Sequence, residues 1–152
     1  MVRFATTTIG MEGDASAMDK LETNKEVVRL YVDAFNAGDI ETLCEIFAPD
    51  STVQGVLGKG ALDAAVPIWR MLHNSLKLHL TIESMIAQGD EVAVCYTENG
   101  TFVGPFRDHQ PTGKSYELVA MEWFILRDGK IRQRWGVRDA ESQARQIGLP
   151  LR

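Results

Sequence analysis

The ten residues "KIRQRWGVRD", 130–139, end on a carboxylate that strand geometry puts in apolar company. In an extended chain successive side chains point to opposite faces, so Ile131, Gln133, Trp135, Val137 and Asp139 share one face and Arg132, Arg134, Gly136 and Arg138 the other. Asp139 is therefore a candidate acid/base. A carboxyl beside Trp135 at the edge of an apolar cavity is desolvated, its ionised form is disfavoured, and it can take and return a proton near neutral pH. The same residue opens "DAESQAR", where an N-cap belongs before a helix with Glu141 in its first turn. The two roles are compatible, because a carboxylate has more acceptor sites than a cap uses. The arginine face is expected to pair with acidic side chains across the sheet or at an interface.

Glu122 is the second candidate. In "SYELVAMEWFIL" it lies between Ala120 and Phe124, on a face that is otherwise apolar. It is either a proton-handling or substrate-orienting group, or a charge satisfied by Arg132 or Arg134 of the following strand. Tyr31, Phe35, Trp69, Tyr96, Trp123 and Trp135 are candidate walls for a flat ligand, with ordinary core packing the leading alternative for each. Alternation groups Trp135 with Asp139 and Tyr96 with Glu98. His109, in "GPFRDHQPTGK", is a candidate for the mouth of such a cavity or a solvated loop residue.

Metal chemistry is not expected. His73, His79 and His109 lack HExxH or similar ligand spacing, and Cys44 and Cys95 lack CxxC spacing and sit inside apolar patterns, as small buried residues.

The elements that must position these residues begin at "TNKEVVRLYVDAFNAGD", where Thr23 and Glu26 have capping-box spacing and Val27, Val28, Tyr31, Val32 and Phe35 recur at helical intervals. Gly38 ends this helix, and Asp39 can cap a second that runs to Pro49. A short strand over 52–56 precedes a further helical pattern over 61–74, which Pro67 either kinks or restarts. From Leu76 the period changes to 2, and three long strands follow, the last pair joined by an Asp-Gly hairpin signal. Helices first and antiparallel strands afterwards argue for α+β. The strand at 115–126 is apolar on both faces, so helices can cover one while the other meets a second copy of the chain.

With 152 residues the chain has the size of one domain, expected to fold over 23–152 behind a loose extension, 1–22. A formal charge of −5 gives no electrostatic reason to bind nucleic acid, and no uncharged apolar run approaches the ~20 residues of a membrane span. The stretch 1–20 lacks the apolar core of a secretory signal, which with unpaired cysteines points to the cytoplasm.

"YVDAFNAGDIETLCEIFAPD", "IAQGDEVAVCYTENGTFVGPF", "PTGKSYELVAMEWFILRDGKI" and "RWGVRDAESQARQIGLP" together resemble the SnoaL-like polyketide cyclase family of the nuclear transport factor 2-like superfamily, over residues 25–150. The resemblance implies a cone, in which a curved antiparallel sheet wraps around about three N-terminal helices and leaves an apolar cavity. It also implies that Asp139, at the end of the last strand, is the general acid/base of an intramolecular aldol closure that needs no metal or organic cofactor. On the strand of Glu122 the family commonly has His or Gln instead. The expected function is thus a cofactor-independent cyclase or isomerase acting on a small apolar, carbonyl-containing molecule. The rivals are an epoxide hydrolase-like enzyme, in which Asp139 would join Arg70 and a second acid around a water, and a non-catalytic small-molecule-binding or dimerisation domain.

Overall fold

The computed structural model describes residues 12–151. Helix α1 spans Glu12–Ala37, so order begins well before Thr23. The capping box does not form: Thr23 lies inside the helix and its hydroxyl donates to the Asp19 carbonyl four residues back, 2.8 Å away. The expected extension is therefore helical from Glu12, and residues 1–11 lie outside the described residues. The early turns are tied down by Lys20, whose ammonium is 2.5 Å from the Asp90 carboxylate in the turn between two later strands.

Gly38 (φ 70°) ends α1 and Asp39 caps α2 (Ile40–Ile46), accepting from the Thr42 amide at 3.1 Å. The chain then leaves helical geometry at Phe47, before Pro49, and forms β1 (Phe47–Gly55). A short β2 (Gly58–Ala61), which the pattern did not suggest, makes a hairpin with β1. Helix α3 (Leu62–Leu76) runs uninterrupted with Pro67 inside it, and it absorbs Leu76, so β3 (His79–Gln88) starts later than periodicity suggests. The strands β4 (Glu91–Thr101), β5 (Ser115–Arg127) and β6 (Lys130–Arg138) follow, then α4 (Ala140–Ile147).

The six strands form one curved sheet in the order β2-β1-β6-β5-β4-β3, antiparallel except where β1 meets β6. Helix α1 lies against β3 and β4, α3 against β1 and β2, and α4 against β5. Between helices and sheet the core is aromatic, with the Tyr31 ring 5.1 Å from Phe124 and Phe47 5.4 Å from Trp69, both centroid to centroid. The α+β expectation holds: one curved sheet carries the helices on its concave face.

In the β5–β6 pairing Ile125 faces Gln133 while Leu126 faces Ile131, so Arg132 is an extra residue, a β-bulge. Because the side-chain period is 2, one inserted residue exchanges the faces beyond it. Past the bulge Arg134, Gly136 and Arg138 point to the helices, while Trp135 and Val137 point away from them. The alternation inferred for 130–139 is therefore reversed over its second half.

Among the described residues, no helix covers the opposite face of the sheet. There Met121 stands in line with Cys95 and Val137, and Trp123 with Ala93 and Trp135. Val119, Met121, Trp123 and Val137 are all exposed, and both cysteines are half-buried free thiols rather than core residues.

Candidate functional site

The inward faces of β4, β5 and β6 carry two charged clusters. In the first, Glu122 faces Gly136 across the strand pair and accepts hydrogen bonds from Tyr31 (3.2 Å), Tyr96 (3.0 Å) and the Arg134 guanidinium. In the second, Glu98 accepts from the Tyr116 hydroxyl (2.9 Å) and Arg138 Nε (2.8 Å). Both glutamates are buried, at 5 % and 0 % exposure, which is tolerable only because each carboxylate is paired and hydrogen-bonded.

Local sequence makes both clusters possible. At Gly136 a Cβ would stand 2.7 Å from Arg134 Nη2, so the missing side chain is the space in which the guanidinium reaches Glu122. At Gly100 a Cβ would stand 2.7 Å from Tyr116 Cε1, and the ring occupies that space on its way to Glu98. Small Ala120, between Tyr96 and Arg138 in the same row, leaves Arg138 a path across β5.

The electrostatics are consistent with these roles. Burial and the Glu122 charge raise the Tyr31 and Tyr96 hydroxyls above the usual phenol range, so both stay protonated and donate. Burial opposes the charge on Arg134, but Glu122 outweighs it and the guanidinium is held above its ordinary value. Burial pushes Glu98 above the ordinary glutamate range, against the opposing pull of Arg138 and Tyr116.

Beside these clusters lies a cavity of about 220 Å³, bounded by β1, β2, α3, the end of β6 and the start of α4. Its walls include Phe35, Val53, Ala65, Ile68, Trp69 and Phe106. Its polar groups are Arg134, Arg138 and Gln143 at the buried end, and Lys59 and Arg107 elsewhere. Among the described residues no Asp, Glu or His lines it. Arg134 spends Nη2 and Arg138 spends Nε on the glutamates, so the cavity meets guanidinium while the carboxylates stand behind.

The candidates named from sequence are distributed as follows. Phe35 and Trp69 line the cavity. Tyr31 and Tyr96 are fully buried and do not line it; they hold Glu122. Glu122 is satisfied by Arg134, the second of its two readings. Trp135 and Trp123 are corrected to the outer face by the bulge and by β5 alternation, with Trp123 Nε1 donating to Glu91 at 2.8 Å. Asp139 is likewise displaced from the cavity: it is exposed and caps α4, its Oδ1 accepting from the Ser142 amide at 2.8 Å. Arg70 is exposed on α3 and Asp139 is exposed at the start of α4, and neither lines the cavity. The loop of His109 does reach the cavity, but through Phe106 and Arg107. Arg138, Lys59, Arg107 and Gln143 were missed as cavity residues, and Arg134 was named only as a partner for Glu122. The signal that could have found Arg138 was the same demand, applied to Glu98, of a glutamate on an apolar face for a cation on a nearby strand.

The SnoaL-like polyketide cyclase model matches residues 25–147. The chain belongs to this family. Among solved structures it is similar to IdmH, a proposed polyketide cyclase from Streptomyces antibioticus, at 24% identity over 83% of this chain and 99% of that one, with a TM-score of 0.73. A proposed SnoaL-like polyketide cyclase from Jannaschia sp. CCS1 is 21% identical over 86% of this chain and 94% of its own, with a TM-score of 0.77. An LEH-like epoxide hydrolase of M. tuberculosis is 13% identical over 84% and 91%, with a TM-score of 0.69. At these identities the likeness is one of fold.

The direction of the Glu98 shift has a measurable sign. A carboxyl raised on folding binds its proton more tightly in the native state, so its contribution favours folding at low pH and is lost as pH rises from the unfolded glutamate value through the folded one. The stability of the wild type relative to Glu98→Gln, read from urea midpoints across that window, is expected to fall with rising pH. A difference that grows with pH would contradict the assignment.

Proposed function

We propose that the protein is a cyclase- or isomerase-type enzyme whose cavity takes a small apolar molecule rich in carbonyl groups, and that its arginines, rather than a carboxylate, stabilise the reacting oxygen. The observation that carries this reading is the arrangement of Arg134 and Arg138, which line an apolar cavity with their glutamates behind them. In ring closure by aldol addition a carbon between two carbonyl groups loses its proton, attacks a distant carbonyl carbon, and leaves negative charge on that carbonyl oxygen. A preorganised guanidinium is already aimed where this charge develops, in surroundings that screen it poorly. The proton lost from carbon is returned to the new hydroxyl, so no co-reactant is consumed. Such a carbon is acidic enough for water to carry the proton, which fits a cavity without a lining carboxylate. The apolar walls contribute by holding a flexible chain in a bent, reactive conformer.

The test is turnover of a cyclisable poly-β-carbonyl probe. Arg138→Lys keeps the charge that pairs with Glu98 but loses the planar fork, and is expected to cut turnover on the order of 10²-fold, a typical effect of removing one oxyanion donor. Asp139→Asn retains an N-capping side chain and is expected to leave turnover near wild type. Loss of turnover in Asp139→Asn with unchanged Arg138→Lys would overturn this reading in favour of carboxylate catalysis. That no Asp, Glu or His among the described residues lines the cavity also supports a second reading, a non-catalytic small-molecule-binding protein, which ligand binding without turnover would establish.

We also propose that the outer face of β5 meets a second copy of the chain. Contiguous exposed Val119, Met121, Trp123 and Val137 with half-exposed Trp135 exceed the scattered apolar side chains of an ordinary monomer surface. Patches that repeat on two copies associate through a twofold axis. Sedimentation equilibrium is expected to give a dimer for the wild type and a monomer for Met121→Glu; a monomeric wild type would remove the proposal. Cytoplasmic residence, which the two free thiols suit, stays part of this reading.

A further inference from the structure

The cavity has two electrostatically different ends. At the buried end each arginine is matched by its own glutamate, so Arg134–Glu122 and Arg138–Glu98 are neutral as pairs and offer directed N–H dipoles to a carbonyl or a developing charge. At the other end Val56, Leu57 and Lys59 are exposed, and Arg107 is partly exposed. Among the described residues neither Lys59 nor Arg107 stands within ion-pair distance of a carboxylate, although acidic side chains outnumber basic ones, 21 to 16, in the chain as a whole. A full anion is therefore unopposed only at this end.

Arg107 is also held there at a backbone cost. Phe106 and His109 exchange hydrogen bonds of 3.1 and 2.9 Å, closing a two-residue turn in which Arg107 (φ 48°) and Asp108 (φ 61°) are both left-handed. Such turns favour Asn-Gly, because β-carbons disfavour positive φ. The guanidinium is steadied over the Phe106 ring, 5.2 Å from its centroid, and Phe106 itself lines the cavity. Lys59 lies between Gly58 and Gly60 on the short β2, facing the same space.

Building on the cavity reading above, we infer that the ligand is an acid: an apolar, carbonyl-bearing body that enters first and a free carboxylate that stays at the open end, held by Lys59 and Arg107. A volume of about 220 Å³ suits a body of one or two rings, smaller than most drug-sized ligands. The carboxylate would then fix which end of the substrate reaches Arg134 and Arg138.

Isothermal titration calorimetry of the wild-type protein with 2-naphthoate, methyl 2-naphthoate and 2-naphthyl phosphate tests this. The acid is expected to bind at least tenfold tighter than its methyl ester, with an affinity that weakens as salt is added while that of the ester does not. Arg107→Gly relaxes the turn rather than straining it, and with Lys59→Gln it is expected to bring the acid's affinity down to that of the ester. Equal binding of acid and ester in the wild type would overturn the inference and leave the cavity reading standing. Tighter binding of the phosphate than of the carboxylate would assign the open end to a phosphomonoester and overturn it too. Absence of binding by all three compounds would count against both the acid and the cavity that is meant to hold it.

Discussion

Two carboxylates on the inward face of an apolar sheet set the terms for this structure. An ionised glutamate away from water is unfavourable by several kcal/mol unless it is paired and its lone pairs are filled. Glu98 and Glu122 meet that condition only because an arginine from β6 reaches each of them. Those arginines face inward only because the bulge at Arg132 turns the strand over. The bulge, the two pairs, the glycines at 100 and 136 and the tyrosine hydroxyls are one connected arrangement.

The same arrangement decides what the cavity can do. Each guanidinium is anchored at one edge and meets the cavity with the rest, so its position is set before any ligand arrives. Glu98 and Glu122 do not line the cavity; the arginines that hold them do. Membership of a cyclase family is thereby compatible with a site whose working groups are donors. The fold supplies a cone with an apolar interior, and the chemistry follows from the few polar side chains set into its wall.

Much of the fold was legible because it rests on local rules. The Asp39 cap, the Asp128-Gly129 hairpin and the strict alternation of β4 and β5 are each short-range signals, and each forms. The inward facing of Glu122 and its pairing with an arginine of the next strand, the shared face of Tyr96 and Glu98, and the pairing of the arginine stripe with acids were legible for the same reason. The bulge was not, since one extra residue leaves composition and propensity unchanged while reversing every side chain after it. Trp135 and Asp139 were placed by alternation carried across that point, and both moved away from the cavity. Lys59 and Arg107 escaped notice because a short hairpin and a loop, neither with a periodic pattern, bring them to the same space.

The measurement that tests the account most directly is a double-mutant cycle between Glu122 and Arg134, with Glu122→Gln, Arg134→Met and the double variant compared by denaturant unfolding. If the pair is the buried, mutually dependent unit described here, each single change leaves an uncompensated group and costs about 3–5 kcal/mol, and the double variant recovers a large part of that loss. Costs that simply add would mean that the two residues are satisfied independently, and the inward-facing arginine wall would lose its physical basis.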